Sequence, residues 1–279
     1  MSIVDDAGAP RTAPPLRRAG RQRVPVALLA PAGLGLLFLI LPLVGLLVRA
    51  PWSTLPQRLT EPAVLTALWL SLQCATLATV LCVVFGVPLA WLLARIEFPG
   101  RRLVRALVTV PLVLPPVVGG VALLLVFGRR GLLGEWLDAT FGITLPFTTT
   151  GVVLAEAFVA MPFLIIAVEG ALRGADSRYE EAAATLGAGR WVTFTHVTLP
   201  LVAPGVAAGA VLCWARALGE FGATITFAGN YPGRTQTMPL AVYLALETDL
   251  DAAIVLSLIL LTVSVAILAG LRDRWITSP

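Results

Sequence analysis

The sequence predicts an all-α integral membrane protein with six transmembrane helices and both termini in the cytoplasm. Three observations carry that prediction. Apolar residues make up 58% of the 279-residue chain and charged residues only 13%, against roughly 25% charged in soluble domains. Six apolar runs are each long enough to cross a hydrocarbon core of about 30 Å, which takes about 20 helical residues. Arginine is spread unevenly over the alternating connections between those runs.

Residues 1–23 come first, with Arg11, Arg17, Arg18, Arg21 and Arg23 set among prolines and glycines. Such a composition buries no core, so a mobile cytoplasmic tail is expected. The uncharged run 24–48 is longer than the roughly 7–15 apolar residues of a signal peptide, and is read as a retained first helix that Pro31 and Pro42 bend. A second span is expected at 66–90, inside a longer uncharged run. The third, at 106–128, is interrupted by Pro111, Pro115, Pro116 and Gly119–Gly120. Neighbouring helices must satisfy the carbonyls such breaks free, so this span should be interior and broken. A fourth covers 151–172, with Glu156 and Glu169 read as solvated ends, and 199–217 and 252–271 complete the six. Residues 24–272 thus form one membrane domain. The short apolar stretch 235–246 is expected on the outer surface or as a re-entrant helix.

The charges agree with this count. With the amino terminus inside, inner segments hold 14 arginines: Arg11, Arg17, Arg18, Arg21, Arg23, Arg95, Arg101, Arg102, Arg105, Arg173, Arg178, Arg190, Arg272 and Arg274. Outer segments hold five, namely Arg49, Arg58, Arg129, Arg130 and Arg234, and Arg216 falls within a span. That is the positive-inside pattern. All 20 basic residues are arginine. Without lysine there is no G-x-x-x-x-G-K-[ST] phosphate loop and no Schiff-base chemistry. One histidine, His196, and three cysteines, Cys74, Cys82 and Cys213, make a metal site improbable, and the cysteines read as small core residues. The net charge of +4 reflects topology rather than nucleic-acid binding.

One inner connection, 173–198, is long and polar. Asp176 or Ser177 can cap a helix starting near Arg178, Glu180 and Glu181 suit its first turn, and Gly187 or Gly189 can stop it. Trp191, Phe194 and Val197 then recur at helical spacing before Pro200 opens the next span. On physical grounds alone, an interfacial surface helix is an equally good reading.

The spacing of Glu181-Ala182-Ala183, Gly187, Val197 and Leu199-Pro200 resembles the EAA loop of ATP-binding-cassette importer permeases, with valine where that family usually has isoleucine. The resemblance implies the type I importer permease fold in a bacterial inner membrane. It also implies that loop 173–198 is the coupling helix docking on a separate ATPase dimer, which binds ATP and Mg; no cofactor is expected on this chain. A second permease copy and a periplasmic or surface oxyanion-binding protein are the other implied partners.

A narrower resemblance lies in Arg216–Tyr243. Thr224-Ile225-Thr226-Phe227, Pro232-Gly233-Arg234-Thr235-Gln236-Thr237 and Pro239-Leu240 look like molybdate-type permeases, and less closely like sulfate/thiosulfate ones. The resemblance spans about residues 25–272. It implies a molybdate importer permease, with sulfate/thiosulfate or tungstate as the alternative cargo. Arg216 and Glu220 share a helix face at the outer end of the fifth span, and charges there normally meet a partner or a water-filled path. Arg216, Gly219, Glu220, Gly222, Thr224 and Thr226 are therefore pathway candidates, with a packing ion pair as the competing reading of Arg216 and Glu220. Gly205 and Gly209 form a small-xxx-small pair suited to close helix contact, within the chain or between subunits. An intramembrane enzyme using Glu156, Glu220 or His196, or a channel, is the different-class alternative. No catalytic residue is assigned.

Overall fold

The computed structural model describes residues 26–276, and the arginine-rich stretch 1–23 lies outside them. The chain divides into two units. The first holds α1 (Val26–Val48), one apolar helix that runs through both Pro31 and Pro42.

The second unit contains α2 (Leu55–Leu59), α3 (Pro62–Arg95), α4 (Arg101–Val113), α5 (Pro116–Phe127), α6 (Gly134–Phe141) and α7 (Thr149–Gly174). It continues with α8 (Arg178–Thr185), α9 (Arg190–Thr193), a π-helical turn (Phe194–Thr198), α10 (Leu199–Leu218), α11 (Gly222–Ala228), α12 (Met238–Thr248) and α13 (Leu250–Ile276). No strand occurs among the described residues. Prolines open α3, α5 and α12 within their first two positions, where no intrahelical N–H is needed. Thr148 caps α7, its hydroxyl accepting from the Gly151 N–H at 3.0 Å.

Among the described residues, five helices are long and apolar enough to cross a membrane, and the pair α4–α5 makes six if counted as one crossing. The pair is bent by 118°. Leu114 precedes Pro115, and Pro115 precedes Pro116. Both Leu114 and Pro115 take extended conformations (ψ 132° and 134°), because a following proline ring disfavours the helical region. Arg105 of α4 bonds Glu169 near the end of α7, whereas Leu145, beyond α5 and α6, lies against Gly151 in the first turn of α7. The bent pair therefore carries the chain from one end of α7 to the other.

The core is a triple contact of α3, α7 and α10, built largely from small residues: Ala75, Ala78, Cys82 and Ala90; Ala157 and Ala160; Cys213 and Ala217. Lipid tails are as apolar as these side chains, so close backbone approach, rather than escape from water, holds such helices together. Gly205 and Gly209 resolve in this frame. Both face α7, where a β-carbon on Gly205 would collide with Ala171 and one on Gly209 would sit 3.0 Å from that of Ala167. Their role is packing within the chain. Gly205→Leu is expected to destabilise the bundle by ~1–3 kcal/mol, read as a lower thermal midpoint of the purified protein in detergent. A midpoint equal to wild type would show that α10 and α7 can separate at no penalty.

The stretch 235–246, expected on the outer surface or as a re-entrant helix, leads into and forms most of the short helix α12. Thr235, Thr237, Met238 and Leu240 are buried, Tyr243, Leu244 and Leu246 are exposed, and the Met238 N–H donates to Ser71 Oγ of α3 at 2.7 Å. The helix α11 was not expected at all; seven residues with a leading glycine and two threonines carry no periodic signal. It packs against α5 and α7, with a β-carbon on Gly222 falling 2.7 Å from Pro116 Cβ and one on Gly120 2.6 Å from Thr226 Cβ. At the connection between α12 and α13, Asp249 caps α13 through the Ala252 N–H (3.0 Å) and pairs with Arg58 (2.9 Å). Those two contacts, the cap first, hold its carboxyl below its usual range.

Candidate functional site

The polar loop after α7 begins at a cluster of charges. Arg101 donates to Leu93 O (2.8 Å) and Ala94 O (3.3 Å), and Arg105 to Leu93 O (3.3 Å), so arginines of α4 satisfy the last carbonyls of α3. Glu169 accepts from Arg105 at 2.7 Å and from Arg173 at 2.6 Å. It is 7% exposed, a bridged carboxylate between α7 and α4 rather than a solvated end.

Local cap chemistry shapes the next helix. Asp176 Oδ1 accepts from the Arg178 N–H at 3.0 Å, opening α8. At the other end the Gly187 N–H bonds Ala184 O and the Ala188 N–H bonds Ala183 O, both at 3.0 Å. This is a Schellman closure, which needs a left-handed residue, and Gly187 supplies it with φ +83°. No residue of α8 is buried. Glu181 and Ala182 are exposed, Ala183 is half-buried, and Tyr179 and Leu186 stand 59% and 88% exposed. α8 thus projects from the bundle instead of covering it.

The segment after Gly189 is not a second separate helix, as its sequence suggested. α9 runs through the π-helical turn straight into α10, giving one continuous helix, Arg190–Leu218. Pro200 has no N–H, and its ring crowds the carbonyl four residues back, at His196. Widening the preceding turn to π spacing relieves that crowding. Val197 and Leu199 are half-buried and Pro200 exposed along this turn. His196 is exposed, with only its Nδ1 engaged, 2.8 Å from Thr195 Oγ1.

At the far end of α10, Arg216 bonds Glu220 at 2.6 Å. Glu220 is 1% exposed, and its second oxygen accepts from the Ala223 N–H at 2.8 Å, so it caps α11 as well. Both oxygens are occupied. The six pathway candidates therefore separate. Gly222 and Thr226 form the contact with α5, Thr224 is fully buried, and Arg216 and Gly219 retain exposed surface. Glu156, expected near solvent, is 1% exposed, and its Oε2 has no partner among the described residues. Cys74, Cys82 and Cys213 are buried and unbridged, and no group of three or more metal-ligating side chains occurs among the described residues.

Residues 86–278 match the model of a family described as the binding-protein-dependent transport system inner membrane component. The chain belongs to this family. A molybdenum transport system permease protein ModB of Mycobacterium tuberculosis H37Rv is 50% identical over 244 residues, covering 88% of this chain and 92% of that protein. The Escherichia coli K12 ModB is 45% identical over 218 residues (78% and 95%). A sulfate transport system permease protein CysT of the same organism is 39% identical over 240 residues (85% and 86%). Among solved structures, a bacterial ABC transporter importing alginate superimposes with TM-score 0.74 at 19% identity, covering 91% of this chain and 96% of that one. The MetNI methionine transporter gives 0.62 at 18% (77% and 97%). The fold is accordingly that of an ABC importer permease, and the chain is a multi-pass membrane protein. As a permease-family subunit it is a transport component rather than an enzyme.

The link between Glu180 and Arg95 escaped the sequence reading. Arg95 ends α3 and meets Glu180 of α8 at 3.2 Å, 85 residues later, and no local pattern connects two such positions.

Proposed function

We propose that this chain is the permease subunit of an ATP-driven molybdate importer in a bacterial cytoplasmic membrane. The observation that carries the cargo is the 50% and 45% identity to permeases named for molybdenum transport, over most of both chains, above the 39% to the sulfate permease. The coupling reading rests on α8, the exposed helix that bears the EAA spacing and ends at a left-handed Gly187.

Two copies would enclose the pathway, with both termini of each in the cytoplasm. An ATPase dimer carrying ATP and Mg would engage the two coupling loops through Glu181, Ala182, Ala183 and Gly187. ATP-driven closure of that dimer would draw the loops together and open the pathway outward, where a periplasmic or surface binding protein delivers the anion. Hydrolysis would return the permease inward. Arg216 and Gly219 line the route. Arg216 is already neutralised by Glu220, so it offers a dianion N–H donors without a deep electrostatic well, as release requires. Gly222, Thr224 and Thr226 hold the wall behind them.

The test is ATP-dependent uptake of labelled molybdate into proteoliposomes containing the permease, its ATPase and the binding protein. Uptake that unlabelled molybdate or tungstate suppresses, and equal sulfate does not, is expected. Suppression by sulfate at equal concentration would move the cargo to sulfate.

A further inference from the structure

The two adjacent glutamates of α8 point in different directions. Glu181 is exposed, and its carboxylate accepts only from Ser177 within its own helix, at 3.3 Å. Glu180 turns toward the bundle with its side chain 20% exposed. A single oxygen, Oε1, accepts from Arg95 Nε at 3.2 Å and from Thr198 Oγ1 at 2.9 Å, while Arg95 Nη2 lies 3.2 Å away as an ion-pair contact without a hydrogen bond. Arg95 is the last residue of α3, and Thr198, 1% exposed, ends the π-helical turn that leads into α10. One carboxylate of the projecting helix is therefore bonded to the ends of two of the three helices that make the core.

Little else attaches α8. It buries no side chain, and its main helix contacts are with α9 and the π-helical turn. A cavity of about 280 Å³ lies between α3, α8 and that turn, lined in part by Trp91, Arg95, Glu180, Ala184, Phe194 and Thr198. This pocket opens to solvent beside the polar link, so apolar packing around the link is incomplete. Alongside it, the rings of Trp91 (α3) and Phe194 meet edge to face at 5.6 Å, tying α3 to the turn but not to α8. A charge pair half-shielded from water resists being pulled apart more than an exposed one does, and charge-assisted bonds are the stronger kind.

We propose that Glu180, bonded to Arg95 and Thr198, is the positioning residue that transmits displacement of α8 to α3 and α10. It is distinct from Glu181 and Gly187, which face the docking partner. The proposal rests on the importer reading above. A push on α8 reaches the membrane helices through the chain, at Ala175–Ser177 toward α7 and at Gly187–Gly189 toward α10, and through this carboxylate. The chain route toward α10 passes a glycine joint that can flex. The carboxylate route is short and charged, and it arrives at α3 and α10 together, so both move as one.

The test uses the full complex of permease, ATPase and binding protein in proteoliposomes, and reads molybdate transported per ATP hydrolysed. Glu180→Arg and Arg95→Glu singly are expected to lower that ratio about tenfold, within the usual range for energetic coupling between sites, while the ATPase stays bound. The double exchange, Glu180→Arg with Arg95→Glu, is expected to restore most of the ratio. Thr198→Val, which deletes one bond and no charge, is expected to lower it about threefold. A purely structural role would reduce the amount of complex and leave the ratio alone. Single variants or Thr198→Val with the wild-type ratio, or a double exchange as impaired as the singles, would overturn the proposal. Absence of ATP-dependent uptake by the wild-type complex would instead overturn the importer reading itself, and the proposal with it.

Discussion

Glu181→Arg and Gly187→Trp are each expected to release the ATPase from the purified permease, lowering the ATPase recovered with it about tenfold or more, a loss of at least ~1.4 kcal/mol of docking free energy. Neither residue supports the bundle. Glu181 is exposed, and a β-carbon on Gly187 would meet nothing within 4 Å, so the permease should fold and accumulate normally. The two substitutions act differently. Glu181→Arg reverses a charge on the projecting face of α8. Gly187→Trp forces an L side chain into a left-handed backbone, at about 1–2 kcal/mol, opens the Schellman closure and puts an indole beside the exposed Leu186. Gly187→Ala carries the backbone penalty alone and should give an intermediate loss. Full retention of ATPase by both Glu181→Arg and Gly187→Trp would show that α8 is not the docking element.

Arg216→Met is expected to be the most damaging single change in the membrane domain. It leaves the Glu220 carboxylate, 1% exposed, with the Ala223 N–H as its one remaining partner. Removing one member of a buried pair costs about 3–5 kcal/mol because an uncompensated charge stays behind. Glu220→Gln should be milder: the amide oxygen can still accept from Ala223, and Arg216, with its side chain 26% exposed, can turn toward water. The double variant Arg216→Met, Glu220→Gln should recover much of the loss. Thermal unfolding of the purified variants measures all three. If Arg216→Met is no worse than Glu220→Gln, the pair does not hold α10 to α11, and its value lies with the anion instead.

What the sequence disclosed followed the range of the interactions involved. Apolar runs announce helices because composition over about 20 residues decides membrane insertion, and α1, α3, α7, α10 and α13 stand where those runs lie. The caps of α8 were legible because each acts over a few residues: Asp176 on the N–H of Arg178, and Gly187 with Ala188 on the carbonyls of Ala184 and Ala183. Pro111, Pro115 and Pro116 announced a break. The 118° angle did not follow, since it depends on what α4 and α5 each pack against. Glu156 shows the same limit from the other side. Its place two turns into α7 was readable, but α11 and α3 close over that end of the helix and remove it from solvent. Glu180 and Arg95 were both visible as charges flanking spans, while their pairing exists only once α3 and the loop after α7 arrive at the same place.

The central claim is that this permease imports molybdate. Its most direct test is cellular molybdenum, measured by mass spectrometry, in a strain lacking only this gene and grown on scarce molybdate with and without excess sulfate. The account predicts a collapse of cellular molybdenum that sulfate neither causes in the parent strain nor deepens in the mutant, with sulfur uptake intact. Normal molybdenum in the mutant would contradict it, and impaired sulfur uptake beside that result would assign the same fold to sulfate.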